Sequence, residues 1–268
     1  MIVHHLNCGA MQPYGGHLFD GQTPGLGPAT LACHCLLLNT GTRLVLVDTG
    51  VVGADAALSA RRHSTLLRVV DRLRLDSTES AAHQVIALGY RPADVTDIIM
   101  THLDFDHAAG MTDFPQARIH VAAAEAQAAL HPAGPVARAR YRPGQLQPTL
   151  PRWNQYAEFG AAWLGLPAVP VDGVDGVWLV NLPGHSAGHC GVAVPERDGW
   201  LLHAGDAIFH HRELDAAPFT PTAARAYQWA IQHSQRQRRR SLHELRRLAR
   251  DSAGNVRVIC THDPSLLP

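Results

Sequence analysis

The sequence contains no lysine, since all of its 23 Lys and Arg residues are arginine. This absence excludes a P-loop lysine, a Schiff-base lysine and a Ser-Lys catalytic pair. Charged residues make up only 17% of the chain, against about 25% in an average soluble protein. The cationic and acidic residues balance at 23 each, so no long-range field favours nucleic acid or an anionic membrane. We therefore expect a small-molecule partner and neither of those two.

Cysteine is sparse, and long apolar runs are missing. The five cysteines are odd in number and scattered, unlike the disulfide framework of a small secreted domain. Cys33-His34-Cys35 offers a zinc clip, but it lies in the apolar run Leu31 to Leu38, typical of a buried strand whose neighbouring side chains face opposite ways. The residues from Met1 to Leu6 lack the positive region and apolar core from which a signal peptide is predicted, and no apolar stretch approaches the roughly 20 residues of a membrane span. The sequence thus predicts a cytoplasmic protein.

The length and patterning favour one domain over residues 1–268, with a possible homodimer as its assembly. Of these 268 residues, 46% are hydrophobic, enough for a large core. Strands followed by helices occur in both halves, which predicts two sheets with helices outside. The segment near 131–165 is rich in proline and predicts a loop, an insertion or a lid. A long helical stretch is expected from Thr222 to Arg250.

Histidine is abundant, at 18 residues, and its spacing indicates chemistry because imidazole is the commonest metal ligand. Immediately after the predicted strand Asp97 to Thr101 comes a run of six residues with four potential ligands, a density that packing does not explain. Three later strand ends each carry one more ligand-type residue. The seven candidates suit two adjacent metal ions: His102, Asp104, Asp106, His107, His185, Asp206 and His262.

This pattern resembles the metallo-β-lactamase-fold hydrolases, whose signature is His-x-His-x-Asp-His, then Gly-His-Thr/Ser-x-Gly-His, Gly-Asp and a final His. The resemblance extends from Leu46-Val47-Asp48-Thr49-Gly50 to His262 in the family's order. It implies an αββα sandwich with two metals, zinc first and manganese or iron as alternatives, at one edge between the sheets. It assigns Asp48 a supporting role.

The resemblance also implies a ligand set. The first metal takes His102, Asp104 and His185, the second takes Asp106, His107 and His262, and Asp206 bridges them. Asp106 is the catalytic candidate that orients a metal-bridging hydroxide and shuttles its proton.

Position 104 departs from the commonest family pattern, because Asp stands where His is usual. A third carboxylate lowers the charge of the site by one, so the sequence predicts a less acidic bound water. It also makes manganese or iron more competitive with zinc. On this reasoning, Asp104→His moves activity to lower pH. The alternative is that Asp104 does not reach the metal and orients a water or a neighbouring ligand.

The expected reaction is hydrolysis of an ester-like bond, and the family branch that looks most similar includes the acyl-homoserine-lactone hydrolases. Those lactonases carry Tyr three positions after the bridging Asp, where this chain has Phe209. Either His210 or His211 replaces it, or the substrate differs. Tyr141 and Trp153, beside Arg140, Arg142 and Tyr156, are further candidates for the substrate cleft.

Other functions stay open on the sequence alone. The same metal-binding residues are also compatible with a thioesterase similar to glyoxalase II or with a phosphoester hydrolase. Asp104 also motivates an iron-dependent, dioxygenase-like enzyme. A binding protein without turnover is the alternative from outside the enzymes. His189 and His203 are interpreted as hydrogen-bonding neighbours of the site.

Overall fold

Two β-sheets form the centre of the protein. The computed structural model describes residues 1–268, with the side chain of Leu66 left aside. The first sheet contains β1 (Ile2–Met11), β2 (Leu31–Asn39), β3 (Leu44–Val47), β4 (Leu73–Arg74), β5 (Val95–Ile99), β6 (Arg118–Ala122) and β7 (Trp153–Tyr156). The second contains β8 (Ala161–Trp163), β9 (Leu166–Pro170), β10 (Trp178–Asn181), β11 (Cys190–Glu196), β12 (Gly199–His203) and β13 (Val256–Ile259). The strand orders are β4-β1-β2-β3-β5-β6-β7 and β13-β12-β11-β10-β9-β8.

Helices cover the outer faces of both sheets. They are α1 (His17–Asp20), α2 (Ala56–Arg62), α3 (Thr65–Val70), α4 (Ala81–Ala87), α5 (Ala123–Leu130), α6 (Gly134–Arg140), α7 (Pro143–Leu146), α8 (Thr222–Ile231) and α9 (Gln235–Asp251). Among the described helices, none is long and apolar enough to cross a membrane.

Three apolar clusters separate the layers. Between the sheets, Leu36 and Val47 of the first pack with Val192 and Leu201 of the second. A second cluster lies between the first sheet and its helices, and a third joins the second sheet to α9. The predicted αββα sandwich is therefore confirmed. β2 is buried on both faces from Leu31 to Leu38, as expected of a central strand.

Parallel pairing brings the site loops together. β3, β5, β6 and β7 run parallel in the first sheet, and β12 and β13 run parallel in the second. Because the carboxyl ends of parallel strands meet at one edge of a sheet, the residues that follow them lie close together. Asp48, His102, Asp206 and His262 all follow such strands.

The predicted helix from Thr222 to Arg250 is wrong in one respect, because it is broken between α8 and α9. Ser234 caps α9 by accepting a hydrogen bond from the Gln237 amide. The amides of His233 and Ser234 donate to the carbonyls of His185 and Gly184 at 2.8 and 3.0 Å. The break thus supports the loop that carries His185.

The proline-rich segment is more regular than the sequence predicts. Pro135 and Pro143 lie in the first turns of α6 and α7. Proline is tolerated there because the amides of the first turn have no hydrogen-bond partner within the helix. The strands β7 and β8 follow within residues 131–165. The segment near 131–165, expected to be a loop, an insertion or a lid, thus contains helices and strands, and its helix α6 contributes Arg140 to the site.

Candidate metal centre

The loop after β5 carries four of the predicted ligands, and all four are buried. The loop turns tightly, since the amides of His107 and Ala108 both donate to the Asp104 carbonyl, at 3.0 and 3.1 Å. The Phe105 amide donates to the carbonyl of Arg140 at 3.0 Å, which ties the loop to the end of α6. These hydrogen bonds shape the loop so that His102 and Asp104 lie in one group of ligand-type residues and Asp106 and His107 lie in a second, adjacent group.

The first group of donor atoms comes from His102, Asp104 and His185. Oδ2 of Asp104 lies 3.1 Å from Nε2 of His185 and 3.4 Å from Nε2 of His102. One donor atom of each residue lies within 4.8 Å of the other two, as three ligands of one ion require. The structure thus brings Asp104 together with the two histidines of the predicted first group.

The second group comes from Asp106, His107 and His262, which satisfy the same distance condition. Oδ2 of Asp106 is 3.5 Å from Nε2 of His262 and 3.8 Å from Nε2 of His107. Asp206 lies between the groups. Its Oδ2 is 3.0 Å from Nε2 of His262 and 3.6 Å from that of His185, so its carboxylate reaches a residue of each group.

Unpartnered atoms show that this donor set fits divalent cations. Nε2 of His102, Oδ1 of Asp104, Nε2 of His107 and Oδ1 of Asp206 are buried with no hydrogen-bond partner. A buried polar atom left unpaired costs about 1–3 kcal/mol, and four around one point require an explanation. Imidazole and carboxylate ligands suit zinc, manganese and iron, and two adjacent ions would satisfy all four atoms.

Hydrogen bonds from Nδ1 fix the orientation of three of the predicted histidine ligands. Nδ1 of His107 donates to Oδ2 of Asp48 at 2.8 Å, and Nδ1 of His262 donates to the Ala32 carbonyl at 2.8 Å. Nδ1 of His102 donates to the Thr101 hydroxyl at 2.9 Å. Such bonds select the tautomer that leaves Nε2 free for a metal.

Asp48 combines several of these functions. It accepts hydrogen bonds from the Thr101 amide and hydroxyl at 2.8 and 2.7 Å, besides that from His107. It adopts φ +57°, a left-handed conformation uncommon for a residue other than glycine. The strained backbone turns the carboxylate back toward β5, which accounts for the supporting role expected of it.

The charges at the site are matched to cations. Burial raises the pKa of the Asp206 carboxyl, but His262 and His107 outweigh this and hold it well below the usual range. Burial likewise opposes the charged form of His107, yet Asp206, Asp106 and Asp48 raise its pKa well above the ordinary value. Burial, with Arg140 as a further cause, lowers the pKa of His185 to about 4. Divalent ions would therefore take the place of the positive charge that these carboxylates otherwise favour on His107.

Arg140 is the least expected member of the site. Its Nη1 lies 3.2 Å from Oδ2 of Asp104, and both side chains are buried. From the sequence alone, the charge of Asp104 is expected to be unbalanced, but in the structure the Arg140 guanidinium offsets it. Arg140 appeared in the sequence only as a candidate for the cleft, and nothing in the spacing of α6 pointed to Asp104.

Glu125 was missed entirely at the sequence level. Its buried carboxylate accepts hydrogen bonds from the Leu103 amide at 3.0 Å, the Ser186 hydroxyl at 2.6 Å and the Gly188 amide at 3.0 Å. It thus joins the loop of His102 to the loop of His185. An acidic residue in an alanine-rich helix was the available signal.

A cavity of about 130 Å³ opens onto the metal centre. Asp104, Asp106, Asp206 and His262 form its floor. The walls are mostly apolar and consist of Met11, Leu67, Phe105, Val136, Ala139, Arg140, Phe209, Tyr227 and Ile231. The sequence did not indicate Tyr227, whose ring lies 6.4 Å from that of Phe209.

Two of the predicted substrate contacts, Phe209 and Arg140, line this cavity. The others lie outside its lining: His210, His211, Tyr141, Arg142, Trp153 and Tyr156. The ring of His210 stacks on that of His211, which hydrogen-bonds Asp263 at 2.6 Å. Tyr141 donates its hydroxyl to Glu125, and Trp153 donates its indole N–H to Thr149. His189 accepts the Asp206 amide at 2.9 Å, and His203 hydrogen-bonds the His34 carbonyl, so both lie beside the site without joining the ligand groups.

Comparison with known proteins assigns the family. The sequence profile of the Metallo-beta-lactamase superfamily matches residues 29–262. The chain belongs to this superfamily. It is therefore an enzyme of the metallo-hydrolase type, as the sequence predicted.

Individual relatives agree with this assignment. A probable metallo-hydrolase of Mycobacterium tuberculosis is 40% identical over 266 residues, covering 98% of this chain and 81% of the relative. An N-acyl homoserine lactonase of Bacillus thuringiensis is 29% identical over 191 residues, covering 70% and 69%. The solved structure of an N-acyl homoserine lactone hydrolase with N-hexanoyl-L-homoserine at its catalytic metal centre has the same fold. It has a TM-score of 0.73 at 23% identity, covering 98% of this chain and 93% of that one.

Proposed function

We propose that this metallo-hydrolase opens a lactone ring and uses two divalent metal ions, zinc in preference to manganese or iron. One observation carries the proposal. Two groups of three ligand-type residues lie on either side of Asp206, with four buried nitrogen and oxygen atoms that have no hydrogen-bond partner among the described residues. Two such ions lower the pKa of a shared water and polarise the oxygen of the substrate.

The protein residues then have distinct functions. His102, Asp104 and His185 would hold one ion, Asp106, His107 and His262 would hold the other, and Asp206 would contact both. Asp106 also lines the cavity, so its carboxylate is placed to accept a proton from the attacking water and to return it to the leaving alkoxide. Asp48 and Glu125 keep the two loops in position.

The cavity favours an uncharged substrate with an apolar part. Met11, Leu67, Val136 and Ile231 form walls that suit an acyl chain. The lactonase relatives support a lactone as the reacting group. Since Phe209 has no hydroxyl, polar contacts from the walls must come from Arg140 or Tyr227.

A substrate panel tests the proposal. Protein purified without chelators and supplied with zinc, manganese or iron(II) is assayed against N-hexanoyl homoserine lactone, a simple γ-lactone, an acyl thioester and a phosphodiester. We expect lactone hydrolysis to exceed the other activities. Asp106→Asn should lower kcat by about 100-fold or more, whereas Asp172→Asn, at an exposed carboxylate, should not.

Other outcomes would redirect the assignment. Turnover of the thioester or phosphodiester with none of the lactones would replace the substrate class. Consumption of oxygen by an iron-loaded protein would favour the dioxygenase-like alternative. Metal binding without turnover of any substrate would favour a binding protein.

A further inference from the structure

Arg140 is buried in the cavity wall with a donor that the protein does not satisfy. Its side chain is 6% exposed, and Nη1 has no hydrogen-bond partner despite lying 3.2 Å from Oδ2 of Asp104. A buried guanidinium is costly unless its charge is offset. Asp104 is the carboxylate closest to Nη1, and it stands where the commonest pattern has a neutral histidine.

Two contacts of the guanidinium and one of its backbone hold Arg140 in this position. Nη2 donates to the Ile231 carbonyl at the end of α8 at 2.6 Å. The backbone carbonyl of Arg140 accepts the Phe105 amide, one residue after Asp104. Nη1 faces Asp104 itself. Arg140 is thus hydrogen-bonded to the loop that carries Asp104. This bond keeps the guanidinium beside the carboxylate.

With Asp104 and Arg140 together, the metal site has the same net charge as it would have with a neutral ligand at position 104. Three carboxylates against two divalent ions leave one positive charge, and Arg140 raises the total to two. A neutral imidazole at position 104, with no arginine beside it, also gives two.

We propose that Asp104 and Arg140 act as one unit in metal binding, in which Arg140 positions Asp104 and cancels its charge so that the pair replaces a neutral ligand. The inference rests on the proposed metal site. It predicts that neither member can be exchanged alone, whereas the two can be exchanged together. In particular, restoring the usual histidine should weaken the site as long as Arg140 remains.

Zinc binding to paired variants tests the unit. In Asp104→His, the arginine charge faces an imidazole and a cation, so we expect the zinc affinity of the weaker site to fall about 10–100-fold. In Asp104→His/Arg140→Gln, the charge is gone and affinity should return to within about threefold of the unaltered protein. Asp104→His/Arg140→Lys keeps the charge and should not recover. Competition with a chelating dye gives these affinities without any assay of turnover.

A second pair addresses folding. Asp104→Asn keeps the shape of the side chain but removes the partner of Arg140, so it should lower the melting temperature of the metal-free protein. Asp104→Asn/Arg140→Gln should restore much of that loss, because no buried charge is then left unpaired.

The outcomes separate this inference from the proposed function. If the unaltered protein binds no zinc, the metal site itself is wrong and the inference fails with it. If the unaltered protein binds two zinc ions but the glutamine double variant recovers no more affinity than the lysine one, only the inference is overturned. The same holds if Asp104→His alone binds zinc as tightly as the unaltered protein.

Discussion

Asp48 orders two imidazoles of the metal centre although it does not line the cavity. Its Oδ2 accepts Nδ1–H of His107 and the Thr101 hydroxyl, and that hydroxyl accepts Nδ1–H of His102. One carboxylate therefore sets the tautomers of a ligand in each group. Partners of this kind contribute to metal affinity through the rings that they orient.

Asp48→Asn should lower zinc affinity about 10–100-fold, because an amide cannot accept all of these hydrogen bonds. Asp97→Asn is the matched control. Asp97 is equally buried, but it pairs with Arg43, Arg118 and His120 away from the ligand groups. The control should lower the melting temperature and leave zinc affinity unchanged. Equal effects of the two variants on zinc would contradict the role given to Asp48.

His262→Ala should remove one ligand of the second ion. We expect about one metal per chain in place of two, and activity reduced about 100-fold or more. His211→Ala, which alters a histidine hydrogen-bonded to Asp263 and outside the cavity lining, should leave the metal content unchanged. Full metal content in His262→Ala would show that the final histidine is misassigned.

At the scale of elements, α5 connects two loops through the single side chain of Glu125. Glu125 contacts Leu103 of the first loop and Ser186 and Gly188 of the second. Gly188 packs so closely on the Glu125 backbone that a Cβ there would collide with it. The loops of His102 and His185 are therefore joined through a helix that itself carries none of the predicted ligands.

Glu125→Gln should lower the free energy of unfolding by about 1–3 kcal/mol, since its amide group must face donors and leaves at least one of them unpaired. Urea unfolding of the metal-free protein measures this change. Glu158→Gln, at an exposed position, serves as the control and should change stability by less than about 0.5 kcal/mol. A Glu125→Gln protein as stable as the control would contradict the bracing role.

The sequence predicted those features that depend on neighbouring residues in the chain, and it did not predict those that depend on distant contacts. The run His102 to His107 follows a strong β-pattern, and the ligand density identified the centre without knowledge of the contacts. The break before α9 could not be predicted, because His233 and Ser234 form hydrogen bonds with a loop some fifty residues away in sequence. Arg140 is a similar case, because its partner Asp104 lies on another element. The helix α6 itself was not predicted, because the segment is rich in proline.

At the scale of the whole molecule, Asp71 links stability to pH. Burial, with the nearby Asp106 as a lesser cause, raises the pKa of Asp71 to about 6, against about 3.9 in an unfolded chain. The folded state therefore holds a proton that the unfolded state releases between these values. Stability from this group is fully present below about pH 4 and is lost as the pH rises through about 6.

Asp71→Asn should remove this loss. We expect the variant to gain about 1–3 kcal/mol over the unaltered protein at pH 7 and little or nothing at pH 4. Denaturant unfolding of both metal-free proteins at the two pH values gives the comparison. A gain of the same size at both values would mean that the effect does not come from ionisation of Asp71.

We propose that the two groups of residues beside Asp206 hold two divalent ions that hydrolysis requires. Elemental analysis of protein purified without chelators tests it most directly, combined with activity before chelation, after it and after readdition of zinc. We expect about two ions per chain, loss of both ions and activity on chelation, and recovery of both with zinc. Protein that carries no metal, takes up none and keeps its hydrolytic rate would contradict the account.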